Sequence, residues 1–442
     1  MKFLSKNMFL KISFLSLLII LFLSPSVFAE VRTQFIPTVS ITEEYTDNYH
    51  QTQNNKDDEF STIYTTGFSF GVIGKNANIF LDYNPGYTDY LENDENDSWS
   101  HEASLEGQIQ MSEHTSFTLS ESFVRDLSRS VRTNAWEEHD ANTATAAISH
   151  EFGERDSIGV DYTYSFDNYN DSNADEYESH NPSASLSYWF TPQYGFDLNA
   201  AYEKTTFDIS TDEPETWSGD ARLLRSITRH FDIYISYAHT YTDQDSGDHT
   251  IYHPSIGFDW QPTEDSGISM GAGVLFHKWD DQSSEDSENF FTDFDIYKDF
   301  NFSRRGTFSV TGSSGYAETS GDAASMGFTI SYEAGCLLSY ELTRRLTAEL
   351  DATYAIEQYD DPSIGSDRQD NTLGLGAALS WSPLQWLSFN LSYTFTDFDT
   401  NDGTREDYQE NVGTFTISMT PSQAVRFGEP DSRSELENRL FD

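Results

Sequence analysis

The chain predicts an all-β protein, a transmembrane antiparallel up-and-down β-barrel. Three observations carry this expectation. Apolar and polar residues alternate strictly over long runs, tight and long connections follow one another in turn, and only the N-terminus is continuously apolar. Period two is the signature of a strand, and ten or so alternating residues match the length a tilted strand needs to cross a bilayer. A hydrophobic fraction of 37% is too small for helical spans, whereas an aromatic fraction of 15% is high for a chain of net charge −49. So acidic a chain does not bind nucleic acid through its phosphates.

The apolar run comes first. Lys2, Lys6 and Lys11 precede apolar residues 12–23, and small residues follow up to Ala29, which is the order of a cleaved secretory leader. Residues 1–29 are therefore expected to be removed, leaving a barrel over 30–421 and a periplasmic tail over 422–442. The tail reads as disordered, with a short helix capped at Ser432 to Glu435 as the other option. The single cysteine, Cys336, shares its parity with Ile330, Tyr332 and Leu338, and reads as a small apolar side chain.

The strands follow. In WLSFNLSYTFTDFD, Leu387, Phe389, Leu391, Tyr393 and Phe395 fall on one face, with Ser388, Asn390, Ser392, Thr394 and Thr396 on the other. The same alternation groups Ile158, Val160, Tyr162 and Tyr164, and again Tyr64, Phe68, Phe70 and Val72. Counting hairpins gives about 20 strands, or 18 if the Ala/Thr-rich stretch 141–150 fails to form one.

Short connections such as GKNA, GERD and TRR alternate with acidic ones such as LENDENDS and DDQSSEDSE. The short ones are expected at the periplasmic end and the acidic ones outside. Trp189, Trp260 and Trp381 each precede a proline closely, and with Trp386 they are expected to mark a membrane interface, where Trp favours the headgroup level. Arg155, Arg229, Arg304, Arg305, Arg344 and Arg345 fall at that same end.

A soluble sandwich or propeller also alternates. Against it stand the strand length, the regular pairing of tight with long connections, and stripes rich in Tyr, Phe and Trp. In lipid every backbone polar group must be satisfied internally, so an exported sheet with one apolar face is satisfied by closing on itself. Two features resist the pattern. Glu121 has the parity of Phe117, Leu119 and Phe123, which calls for a bulge or a pairing with Arg125. Pro85, Pro182 and Pro254 lie inside expected strands and read as bulges or strand starts.

In PTVSITEEYTDNY, Glu44, Tyr45, Thr46, Asp47 and Asn48 stand just after the leader and before regular hairpins. This stretch resembles the putative β-barrel porin type 2 family, outer-membrane barrels often encoded beside bacterial exopolysaccharide clusters. The resemblance covers the mature chain in pattern and this motif in letters. It implies a Gram-negative outer membrane and a part in polysaccharide export with periplasmic partners, and it brings no catalytic residue. The chain departs from common barrel practice in following its last expected strand, 412–421, with a further polar segment.

Polar parity assigns to the lumen Asp82, Glu102, Glu106, Asp161, Asp197, Asp220, Asp232, Asp259, Asp293, Asp295, Glu333, Glu349 and Asp351, with Arg222 as a base and Tyr234 and Tyr297 as rings. Such a wall favours cations, and rings support sugar faces; a merely solvated wall is the plainer alternative. No segment reads as a plug, and the acidic loops look too short to constrict the lumen deeply.

An outer-membrane hydrolase is a weaker reading. His50, His101, His114, His139, His180, His230 and His249 fall at loops, turns or strand ends without ligand or triad spacing, and read as solvated. DFDTNDG at 397–403 departs from a calcium loop in its glycine position and in Tyr408. No cofactor or metal is expected. The expected surroundings are outer-membrane lipid and lipopolysaccharide. A channel is preferred to a structural or adhesive surface protein.

Overall fold

The computed structural model describes residues 32–129, 136–169, 176–208, 213–244, 247–280, 286–319, 327–360, 368–401 and 406–427. The expected leader, 1–29, and residues 428–442 of the expected tail lie outside these.

The strands from the N-terminus are β1 (Arg32–Thr46), β2 (Glu59–Ile73), β3 (Ala77–Tyr90), β4 (Ser98–Ser112), β5 (Thr115–Arg129), β6 (Trp136–Glu151) and β7 (Ser157–Tyr169). Next come β8 (Tyr177–Thr191), β9 (Tyr194–Phe207), β10 (Glu215–Thr228), β11 (Phe231–Asp243), β12 (His249–Thr263) and β13 (Ser266–Trp279). The series continues with β14 (Ser287–Phe291), β15 (Phe294–Ser303), β16 (Gly306–Thr319), β17 (Gly327–Thr343) and β18 (Leu346–Asp360). It ends with β19 (Arg368–Leu384), β20 (Leu387–Thr400), β21 (Tyr408–Met419) and β22 (Val425–Phe427).

Each strand pairs antiparallel with its neighbour, and β1 pairs with β21 from Val39↔Met419 to Thr46↔Val412, which closes the sheet. Both β14 and β15 lie on β13 in one register, and β22 follows β21 along β1, so the wall is a 20-stranded closed barrel. The stretch 141–150 is part of β6, and the wall runs past residue 421 to Phe427.

Register carries one face intact around the barrel. Ser69, Asp82, Ser104, Ser122, Thr143, Ser165, Ser179 and Thr205 stand opposite one another in succession from β2 to β9. This polar face is the concave one: Arg222 of β10 donates to Asp259 of β12 across β11, a reach that only the inside of a curve allows. The convex face carries the exposed apolar side chains, among them Val39, Ile41, Leu198, Ile235, Leu350 and Leu391. Among the described residues only nine hydrophobic side chains are buried, far too few for a soluble core in a chain this long. The apolar surface is turned outward, toward hydrocarbon.

Aromatic pairs mark both levels of the bilayer on that outer face. Tyr87 and Trp99 (5.2 Å) and Tyr202 and Trp217 (4.4 Å) lie toward the long loops. Phe302 and Tyr340 (6.1 Å) and Trp381 and Phe389 (5.3 Å) lie toward the short turns. Trp260, Trp381 and Trp386 are exposed there. Trp189 is a correction. It is opposite Gly195 on the concave face, because Tyr188 and Phe190 take the outward positions on either side of it.

The prolines also correct the expectation, since none makes a bulge or begins a strand. Pairing stops beside Pro85 (between Thr65↔Gly86 and Phe68↔Tyr83), beside Pro182 and beside Pro254, then resumes in the same register. The ladder on the other edge of each proline strand is unbroken, as a residue lacking one N–H permits.

Glu121 stays on the convex face, opposite Leu105 and Ala144, with no register change. Its partner is the amide of Asn142, which donates to it at 3.2 Å, while Arg125 pairs with Asp140 instead. A carboxylate at mid-wall facing lipid is costly. Replacing both Glu121 and Asn142 (Glu121→Leu with Asn142→Ala) is expected to stabilise the inserted barrel by about 1 kcal/mol or more. Urea titration of the protein in lipid vesicles checks this.

Candidate functional site

Parity places every lumen acid of the sequence reading on the concave face, through pairs such as Asp82↔Ser104, Asp161↔Ser183, Asp232↔Asp259, Asp295↔Ser313 and Glu349↔Ala378. What holds these carboxylates is hydroxyl and amide hydrogen more than positive charge. Ser183 donates to Asp161 (2.5 Å), Ser187 to Asp197 (2.7 Å), Asn199 to Asp220 (3.0 Å), Ser269 to Asp259 (2.6 Å) and Ser339 to Glu349 (3.0 Å). A hydroxyl fixes the direction of a carboxylate without cancelling its charge, so the wall stays negative.

Arg222 is an inward base, as is Arg368, which pairs with Asp370. The Arg222 Nη2 donates to Asp259 at 2.8 Å, and its guanidinium lies 3.9 Å over the ring of Tyr234. That ring fits because position 257 has no side chain: a Cβ there would come within 2.4 Å of the Tyr234 ring and 2.3 Å of the Met270 carbonyl oxygen. Gly257→Ala is therefore expected to cost about 1–3 kcal/mol by forcing strands β12 and β13 apart. A lowered midpoint in thermal unfolding of the detergent-solubilised barrel checks it.

At the periplasmic rim Arg155 leaves the β6–β7 turn, lies 3.3 Å from the centroid of the inward Trp189 and reaches Asp232 at 3.5 Å. This base and its ring explain why Trp189 belongs to the passage and not to the lipid edge.

The outer mouth holds groups that the sequence reading missed. His139 of β6 lies between Asp126 (3.3 Å) and Asp167 (2.9 Å), with the Tyr169 ring 4.7 Å away. Its reading as a solvated loop histidine is corrected, as is that of His249, which is buried. His253 and His277, also buried and inward, were not singled out. No local spacing signals these groups, because pairing across strands is what gathers them.

The connection from β1 to β2 adds to these groups. It is too short to reach deep into the lumen, as the other acidic loops are expected to be, yet it is strapped over the mouth. Asn48, 0% exposed, donates from Nδ2 to the Thr52 and Gln409 carbonyls (both 2.9 Å) and accepts from the Thr52 N–H (3.0 Å). Tyr49 then stacks on Trp136 at 4.8 Å, five strands along the wall, and meets Tyr90 edge-on at 5.6 Å. Its hydroxyl accepts from Asn96 (2.9 Å), and burial holds its phenol above the ordinary tyrosine range. Two non-glycine residues of the strap, Gln51 and Asn55, have φ of 51° and 59°, so the conformation is held by these contacts against local preference.

No described group of three or more His, Cys, Asp or Glu side chains is arranged to hold a metal ion. A search of curated proteins finds no match to this chain. Among solved structures, the FrpB iron transporter from Neisseria meningitidis is similar over 87% of this chain and 81% of its own, with 10% identity and a TM-score of 0.52. The siderophore receptor PirA from Acinetobacter baumannii matches over 88% of this chain and 80% of its own, at 9% identity and a TM-score of 0.48. OccK7 (OpdD) from Pseudomonas aeruginosa matches over 89% and 99%, at 10% identity and a TM-score of 0.39. At such identity the first likeness speaks for the barrel fold alone. The chain is a bacterial outer-membrane β-barrel whose residues 272–420 match the family model described as Putative beta-barrel porin 2, the family that its first strand resembles.

Proposed function

We propose that this porin-like barrel is a diffusion channel that prefers cations. The observation that carries the reading is a lumen wall of carboxylates oriented by Ser and Asn donors, with far fewer bases on that face, among them Arg222, Arg155 and Arg368. A barrel of about 20 strands is wide enough to hold water. In a lumen bounded by protein and lipid, fixed negative charge raises the local concentration of cations and lowers that of anions. The role is passage, not catalysis.

The polysaccharide-export reading implied by the family resemblance would use the same lumen, with Tyr234, Tyr297 and the mouth rings as supports for sugar faces. The acidic outer loops would be bridged by divalent ions to lipopolysaccharide phosphates. Planar-bilayer recording of the purified protein under a salt gradient separates the readings. Conductance steps with a cation-selective reversal potential support the channel. Correctly folded protein without conductance supports a scaffold or adhesin.

A further inference from the structure

Among the described residues the wall has one seam. Between β15 and β16 the ladder runs up to Asp295↔Ser313 and stops. Above it β14 pairs with β13 only, while β16 goes on pairing with β17 as far as Thr319↔Gly327. Ser314 fastens the end of the ladder, accepting from the Phe294 N–H (2.8 Å) and donating to the Thr292 carbonyl (2.9 Å).

Past this clamp the two edges overlap. Tyr316 and Ile330 are opposite each other on the outward parity of β16 and β17, with Ser314 and Tyr332. Yet they pack on Ile251, Leu275 and Phe291, which belong to the inward parity of β12, β13 and β14. The Tyr316 ring meets His253 at 5.3 Å and Phe291 at 5.4 Å, both edge-on. The outside of one sheet edge therefore lies on the inside of the other, joined by side chains where the other described strand junctions are joined by backbone.

Two further facts give the overlap the character of a site. It is a cluster of apolar side chains on the lumen face of β12 to β14, and it lies near the exposed, outward Phe290. Beside it, His253, only 6% exposed, has an Nε2 without a hydrogen-bond partner, as has Asp293 at Oδ1. Both stand over bare backbone: a Cβ at Gly273 would meet His253 Nε2 at 2.9 Å, and one at Gly271 would meet Asp293 Oδ1 at 2.3 Å. Apolar side chains next to unsatisfied polar atoms suit a molecule with a hydrocarbon tail and a head bearing O–H groups.

We propose that the overlap of β14 with β16 and β17 is a lateral port, through which the tail of a hydroxyl-headed amphiphile enters the lumen from the outer leaflet while its head engages His253 and Asp293. Separating strands elsewhere would strand backbone N–H and C=O groups in lipid; here the contacts described between the edges are those of rings and aliphatic side chains. The port is independent of ion selectivity, and its test does not use current.

The test employs a dodecyl glucoside carrying a diazirine at the tail end, in proteoliposomes of the Cys336→Ser chain. Irradiation is expected to label Ile251 and Leu275. In the chain that also carries Phe291→Cys and Tyr316→Cys, oxidation to the disulfide should reduce that labelling by about tenfold, and reduction should restore it. Tyr316→Ala alone, which removes the closing ring without a cross-link, should increase it. A dodecanoate probe of the same length should label less, since Asp293 repels its head. The proposal is overturned if labelling is confined to the outward Val274 and Phe290, if it is the same in the bridged and reduced chains, or if Tyr316→Ala leaves it unchanged.

Discussion

Asp161→Asn, Glu349→Gln and Asp351→Asn together are expected to lower the cation preference of the channel measurably, by about twofold near physiological salt. Asp161 on β7 and the pair on β18 are on opposite sides of the wall, each a few residues above its short turn, so the three flank the same level of the lumen. A unit charge acts on an ion ~10 Å away in water with about 0.4 kcal/mol, which changes the local cation concentration roughly twofold. Three such changes compound to roughly eightfold before screening, and salt near physiological strength, with a Debye length of about 8 Å, trims this to roughly twofold. The reversal potential under a salt gradient should move toward zero, more at low salt than at high. Because Ser183 and Ser339 can hydrogen-bond an amide oxygen as well as a carboxylate, the variants should fold normally. An unchanged potential in folded protein would mean that the current does not pass these residues.

The wall was legible because its cause is local. Whether a side chain faces oil or water depends on parity, and parity is written at every position of a run such as Leu387 to Phe395. Composition is a poorer guide than parity: Trp189 resembles Trp260 and Trp381 in being followed by a proline, yet it sits between Tyr188 and Phe190 and therefore turns inward to meet Arg155. The prolines misled for the related reason that a missing N–H affects one edge of a strand. Pro254 interrupts pairing with β13 and leaves pairing with β11 whole, which period and propensity do not distinguish.

What stayed hidden depends on residues distant in sequence. His139 becomes part of an Asp126, His139, Asp167 row only when β5, β6 and β7 are in register. Tyr316 has the pattern of a lipid-facing residue and would stay so but for the ladder ending at Ser313. The acidic loops look alike as strings; the one after β1 differs because Asn48 finds Gln409 and Tyr49 finds Trp136, neither of which is near it along the chain.

That strap gives the second large effect, through Tyr49→Ala. The ring makes a stacked contact with Trp136, an edge contact with Tyr90 and a hydrogen bond from Asn96. Aromatic pairs contribute about 0.5–1.5 kcal/mol each beyond area burial, and the hydrogen bond about 1 kcal/mol, so truncation withdraws roughly 2–4 kcal/mol from the strapped arrangement. At 1.4 kcal/mol per factor of ten, the unstrapped population rises by at least about tenfold. Asn48 still ties the base of the strap to Thr52 and Gln409, so the segment swings without unfolding the strands that carry it. Single-channel records of the variant should show a higher-conductance level that the parent visits rarely, with the reversal potential unchanged, because the carboxylate wall below is untouched. Tyr49→Phe, which keeps both ring contacts and loses the hydroxyl's hydrogen bonding to Asn96 and Tyr90, should fall closer to the parent than Tyr49→Ala does. If Tyr49→Ala and the parent have the same conductance levels and dwell times, the strap does not narrow the path of the ions, and the passage must be limited lower down, where Arg155 leans across to Asp232.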